Sequence, residues 1–159
     1  MSRNTVHADI EGRRLQGALH QAESLCQARG VRLTLQRRQV LEILCRSPRP
    51  MGAYDILDEL QQQIPGARPT TIYRALAFLQ RQGLIHRIES LNAFLGCLHP
   101  EHPHAYQFLI CRRCGLVQEL EDEGVERSLG RVAEATGFEP DSRVVEVIGR
   151  CASCTGKGR

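Results

Sequence analysis

The chain has 159 residues, 42 % hydrophobic but only 4 % aromatic and without tryptophan, which suits one or two domains with cores of Leu, Ile, Val and Ala. Its net charge of +3 divides unevenly: residues 1–90 hold 13 Lys/Arg against 8 Asp/Glu, residues 91–159 hold 8 against 10, so the first part is expected to meet a polyanion. No apolar run is long enough to span a membrane, the start MSRNTVHADIEGRR has no apolar stretch of an export signal, and 7 cysteines, an odd number, favour metal binding in a reduced, cytoplasmic chain over a disulfide framework.

Residues 1–10 read as a flexible tail. Leu15, Leu19, Ala22 and Cys26 recur at helical spacing, and Gly30 can end that helix. Thr34 can cap a second helix that buries Val40, Leu41 and Leu44 and stops before Pro48. Cys26 and Cys45 read as small buried hydrophobes. A third helix follows Gly52, with Tyr54, Ile56, Leu57 and Leu60 as its apolar residues, and residues 64–68 form a turn. The fourth, in PTTIYRALAFLQRQG, has Thr70 as its expected N-cap, Ile72, Leu76 and Leu79 on its inner face and Gly83 past its end. Short helices round a tight turn, the last opening on polar residues, form a helix-turn-helix. LIHRIES and NAFLGC then read as a β-hairpin round 90–92, which makes the module winged.

The histidine-rich, proline-punctuated stretch 97–105 reads as a hinge with chemistry in it. Residues 106–111 and 115–120 are expected as strands. Val125, Leu129, Val132 and Ala133 mark an amphipathic helix ending at Gly137, and 143–149 is a third strand. The class expected is therefore α+β: a winged helix-turn-helix domain over 11–96, the hinge, and a small α/β unit of order β-β-α-β over 106–154. So small a unit buries little core alone. Open strand edges are expected to pair with a second copy, giving a symmetric homodimer.

Two pairs, Cys111/Cys114 and Cys151/Cys154, each have two residues between their cysteines. Each pair can put both sulfurs on one ion, and two pairs make the four-thiolate set that structural Zn²⁺ favours. The alternatives are a redox disulfide in each pair or four unrelated cysteines; two pairs at this spacing are a strong signal for zinc where one would be weak. On the fourth helix Thr70, Thr71, Tyr73, Arg74 and Ala77 fall off the apolar face. Arg74 is placed to read guanine in the major groove of double-stranded DNA, with Thr70 and Thr71 near phosphate at the helix N-terminus. Arg81 and Arg87, and with less force Arg32, Arg37 and Arg38, are in reach of the backbone. A dimer of such modules would read an inverted repeat. Further metal donors gather round the hinge: His86, Cys97, His99, His102, His104 and Glu119. A mixed Cys/His/Glu set suits Zn²⁺ better than Fe²⁺ or Mn²⁺. Such a set would tie two otherwise mobile bodies together only when the ion is present.

PTTIYRAL (69–76), GLIHRIES (83–90), HPHAYQFLICRRCG (102–115) and CASC (151–154) together resemble the ferric uptake regulator family, and within it the zinc-sensing branch. The resemblance implies a winged-helix domain and an α/β dimerisation domain, with structural zinc on the four paired cysteines. It implies a regulatory zinc on His86, Cys97, His104 and Glu119, hence two or more zinc ions per chain, and leaves His99 and His102 for an auxiliary metal site. It implies DNA contacts by Tyr54, Tyr73 and Arg74, an AT-rich inverted-repeat operator and zinc-dependent repression of zinc-uptake genes. Iron- and peroxide-sensing relatives usually carry a denser histidine run before the strand, and a thiolate at Cys97 differs from their nitrogen and oxygen donors. Other readings are a member sensing iron or manganese, a DNA-binding protein whose zinc is only structural, and an enzyme. The last lacks any G-x-S-x-G, H-E-x-x-H or phosphate-binding loop, and no small-molecule substrate is expected.

Overall fold

The computed structural model describes residues 3–97, 100 and 106–156, with side chains from Leu15 onward. The chain divides into two compact units, Met1–His102 and Pro103–Arg159. Among the described residues no helix is long and apolar enough to cross a membrane.

The first unit runs α1 (Arg3–Ala28), α2 (Leu35–Arg46), α3 (Ala53–Gln63), α4 (Pro69–Arg81), β1 (Ile85–Ile88) and β2 (Ala93–Gly96). Its helices start and stop where local chemistry dictates. Thr34 is extended, and its hydroxyl accepts from the Arg37 N–H at 3.4 Å. Ser47, also extended, ends α2 ahead of Pro48. Asp55 Oδ2 accepts the Gly52 N–H at 3.1 Å and so steadies the start of α3. Gly83, at φ +68°, closes α4: its N–H reaches the Gln80 carbonyl and the Leu84 N–H the Leu79 carbonyl, both at 2.9 Å. Gly30 and Gly137 end α1 and α5 in the same way.

Two starts differ from expectation. The cap of α4 is Arg68, with Pro69 as the first helical residue, so Thr70 sits inside the first turn. The proline ring presets φ and needs no partner for a missing N–H, so the helix opens earlier than a threonine cap would allow. α1 begins at Arg3, within the stretch read as a tail. Once the turns carrying Leu19, Ala22 and Cys26 are anchored, each further residue adds a backbone hydrogen bond without needing a buried face.

The core joins Leu19, Ala22 and Cys26 of α1 to Val40, Leu41 and Leu44 of α2, Ile56, Leu57 and Leu60 of α3, and Ile72, Leu76 and Leu79 of α4. The hairpin pairs Ile85 with Gly96, His86 with Leu95, Arg87 with Phe94 and Ile88 with Ala93. Its turn is a short 3₁₀ segment, Glu89–Leu91, followed by Asn92 at φ 46°. Met51 and Phe94 exchange backbone bonds of 2.8 Å in each direction, which fixes the hairpin to the segment ahead of α3. β2 also comes close to α2. A Cβ on Gly96 would lie 2.9 Å from Cys45 Sγ and 3.2 Å from the Cys45 backbone.

The second unit holds β3 (Tyr106–Cys111), β4 (Val117–Leu120), α5 (Glu123–Ala135), β5 (Val144–Gly149) and a single helical turn, α6 (Ala152–Thr155). The expected β-β-α-β order is present, and α6 is an addition to it. The sheet order is β4-β3-β5, with β3 antiparallel to β4 and parallel to β5. β4 starts at Val117 and not 115, because Gly115 at φ +72° still belongs to the turn. Asp122 caps α5 through the Val125 N–H at 2.9 Å, and Gln107 Nε2 donates to the Asp122 carbonyl at 2.9 Å. Phe108 and Ile110 are buried, whereas no described side chain of α5 is. Its expected inner face, Val125, Leu129 and Val132, is open in the single chain, with Val132 62 % and neighbouring Phe138 66 % exposed.

Candidate metal centres and nucleic-acid interface

The four paired cysteines converge within the second unit. Cys111 ends β3, the turn over 112–115 brings Cys114 back, β5 delivers Cys151, and α6 folds Cys154 onto the same point. All four sulfurs lie within 4.8 Å of one another, and Cys114 Sγ and Cys151 Sγ are 3.7 Å apart. A tetrahedral ion with Zn–S bonds of about 2.3 Å has an edge of about 3.8 Å, while a disulfide needs about 2.05 Å. The spacing therefore fits a shared ion and not two disulfides, and none of the seven cysteines is in a disulfide.

The backbone tightens this cluster. The Cys111 N–H donates to the Leu116 carbonyl at 2.8 Å and the Arg112 N–H to the Gly149 carbonyl at 3.0 Å. Arg113 Nη1 donates to the Cys154 carbonyl at 3.0 Å, which secures the second pair to the first. The Cys111 thiol is lowered to about 6, chiefly by the Cys151 N–H that donates to it at 3.3 Å. Cys154 is pushed up to about 12, first by its hydrogen bond to Cys151 and then by burial. Cys111 is thus favoured as thiolate, and a bound cation would supply the attraction that Cys154 needs to ionise.

His86 and Cys97 form the start of a second donor set, on the wing. Cys97 lies one step past β2, where its N–H donates to the Leu84 carbonyl at 3.0 Å and extends the hairpin. His86 pairs with Leu95, so Cys97 is its diagonal neighbour on the same face. Both are 3 % exposed, with ligand atoms within 4.8 Å of each other. Imidazole nitrogen and thiolate sulfur together suit a borderline-soft ion such as Zn²⁺. Glu119 sits in the middle of β4, in the other unit, half-buried. His99, His102 and His104 lie outside the described residues.

The expected DNA-facing residues are open to solvent. Tyr54, in the first turn of α3, is 68 % exposed and Tyr73 is 52 % exposed; Thr70 and Arg74 are also exposed and Thr71 is half-buried. Ile72, Ala75, Leu76, Phe78 and Leu79 turn inward on α4, so Tyr73, Arg74 and Ala77 share its outer side. The arginines are divided. Arg38 pairs with Glu23 at 2.7 Å and Glu42 at 3.5 Å, Arg46 pairs with Glu42, and Arg87 pairs with Glu89 at 3.2 Å while donating to Asn92 Oδ1 at 3.3 Å. Arg37 stacks its guanidinium over the Phe78 ring at 3.6 Å. Arg37, Arg38 and Arg87, read from sequence as reaching the DNA backbone, are thus engaged within the domain. Among the described residues Arg32, Arg49, Arg68, Arg74 and Arg81 have no ion-pair partner. Arg49 and Arg68 escaped the sequence reading. A flanking signal existed for Arg68, which stands directly before the proline that opens α4.

Residues 28–148 match the model of the ferric uptake regulator family. A zinc uptake regulation protein of Escherichia coli (strain K12) is 43 % identical over 140 residues, which cover 87 % of this chain and 82 % of that protein. One from Mycobacterium tuberculosis (strain CDC 1551 / Oshkosh) is 32 % identical over 130 residues, covering 80 % and 97 %. The solved structure of a zinc uptake regulator complexed with zinc and DNA superposes with a TM-score of 0.86 at 42 % identity, covering 89 % of this chain and 95 % of that one. All three relatives are regulators of zinc uptake. With the winged module, the β-β-α-β unit and the two donor sets in place, the chain belongs to the ferric uptake regulator family and resembles its zinc uptake regulators.

Proposed function

We propose that this chain is a cytoplasmic, zinc-responsive transcriptional repressor. As a zinc-loaded homodimer it occupies an AT-rich inverted repeat in duplex DNA and represses zinc-uptake genes. The observation that carries this reading is one of placement: the buried His86 and Cys97 lie on the hairpin that follows α4 directly, and α4 presents Tyr73 and Arg74 outward. A metal-dependent event on the wing is thereby joined to the element that reads bases. The relatives, zinc uptake regulators among them, support the same conclusion.

In this reading Cys111, Cys114, Cys151 and Cys154 hold a permanent zinc that completes the small unit. His86, Cys97, His104 and Glu119 hold the regulatory one, with His99 and His102 left to an auxiliary site. Zinc bound there supplies a positive centre that donors from separate segments share. The chain's own part is to keep His86 and Cys97 fixed in a buried register, so that the orientation competent for DNA is populated only when all four donors are satisfied. Arg74 reads guanine, Tyr73 and Tyr54 contact the DNA, and Thr70 and Thr71 lie by phosphate at the α4 N-terminus. The half-open apolar surface of α5 and β5 supports pairing with a second copy.

The deciding measurement is zinc content per chain together with DNA binding, before and after mild chelation. The expected outcome is two or more zinc ions, one of which leaves under chelation with reversible loss of DNA binding while the dimer persists. Cys97→Ser should keep the structural zinc and the fold but lose zinc-dependent binding. A single zinc, with DNA binding indifferent to chelation, would sink the sensing role.

A further inference from the structure

Two arginines of the first unit hold α4 by its side and its C-terminal end. Arg37, in the first turn of α2, lays its guanidinium carbon 3.6 Å from the centre of the Phe78 ring, and its Nη1 donates to the Arg32 carbonyl at 2.6 Å. Arg29, one residue past the end of α1, donates from Nη1 to the Gln82 carbonyl at 2.6 Å and reaches Gln82 Oε1 at 3.4 Å. Gln82 caps α4, so this carbonyl belongs to the helix's negative end, where a cation is favoured. Phe78 is buried and Arg37 half-buried, which strengthens a cation–π contact over one in open water.

We infer that Arg29 and Arg37 are positioning residues for α4: they set its roll and axial height, and so the place at which Arg74 meets a base, and they are not phosphate contacts. This rests on the reading of α4 as the helix that enters the major groove. The two anchors act at separate points. Phe78 is four residues on from Arg74, and Gln82 is four further on, so each anchor is one helical turn from the last. At the roughly 6 Å outer radius of a helix, a roll of about 10° displaces a side-chain base by about 1 Å. That exceeds the roughly 0.5 Å window of hydrogen-bond lengths that a paired contact to one base tolerates. Each guanidinium is also already engaged inside the domain: Arg37 with the Phe78 ring and the Arg32 carbonyl, Arg29 with the Gln82 carbonyl at the end of α4. Charge counting assigns such residues to the nucleic acid, whereas their contacts assign them to the helix.

The test uses the zinc-loaded full chain and a duplex selected by the wild-type protein from random sequence, against a scrambled duplex, over a series of salt concentrations. Arg29→Ala and Arg37→Ala are expected to weaken binding to the selected duplex by about tenfold. Affinity for the scrambled duplex, and the slope of log K against log salt, should be unchanged. Arg37→Lys, which keeps a cation over the ring, should recover most of the preference. Arg81→Ala serves as the comparator for phosphate contact, with a slope shallower by about one unit. If Arg37→Ala fails to fold, Phe78→Leu removes the ring and leaves the arginine, and the same loss of preference is expected. A slope reduced by about one unit with equal weakening on both duplexes would overturn the inference, as would full retained preference in a variant that only melts earlier. A wild-type chain that selects no duplex at all sinks the DNA-binding reading itself, a distinct outcome.

Discussion

Cys45 is a thiol that the fold keeps protonated. Burial pushes it up to about 11, with Glu42 adding to the shift. Its folded value lies above the ordinary thiol value of 9.0, so the stability it contributes is complete below about pH 9 and is lost as pH rises towards 11, by something of the order of 2 kcal/mol. Urea midpoints measured across that range should fall for the wild type and fall less for Cys45→Ala; equal slopes would show that another group titrates. Cys111→Ser removes the sulfur that is most readily a thiolate, and should lose one zinc per chain with a marked drop in the melting temperature of the second unit. Full metal content in that variant would refute the four-thiolate clasp. The four paired cysteines were legible in the sequence because C-x-x-C spacing is local and the ion's geometry does the rest. His86 and Cys97 needed the hairpin register to become neighbours. Arg37 was not legible at all, since nothing along the chain marks that an arginine will stack on a ring 41 residues away.

At the scale of elements, ends and close approaches decide most. Gly83 holds φ +68°, so Gly83→Ala should cost about 1 kcal/mol, read as a lower melting temperature with zinc content unchanged; no shift would mean that the α4 terminus relaxes freely. Gly96→Ala meets both the sulfur and the backbone of Cys45 and should cost about 1–3 kcal/mol by overpacking. Adding Cys45→Ala should restore only part of that, because the backbone contact at 3.2 Å remains. Complete rescue would place the clash at the sulfur alone. Helix ends at Gly30, Gly83 and Gly137 were readable from residue type, because left-handed backbone is so restrictive. Starts were harder: Arg68 and Pro69 displaced Thr70, and α1 runs back to Arg3. The single turn α6 is shorter than any periodicity can show, and it forms round the geometry of Cys151 and Cys154.

For the whole molecule, the second unit is the part that does not close on itself. Val132, Phe138, Val147 and Ile148 are all more than half exposed in the single chain, and β5 is an edge strand. Val147→Lys should shift the protein towards monomer in sedimentation while leaving one structural zinc in place; an unchanged sedimentation coefficient would exclude this surface from self-association. Joining Cys111 to Cys154 through one ion closes most of that unit into a loop, which by chain entropy alone is worth about 4 kcal/mol. One consequence concerns mechanical load. β3 and β5 run parallel, and both enter the cysteine cluster at their C-terminal ends. Tension on the chain terminus is therefore borne first by metal–sulfur bonds and only afterwards by the ladder of backbone bonds between the strands. Pulled at that end in a force spectrometer, the loaded unit should resist as a latched catch, and a chelator should turn it into a sheet that peels from β5.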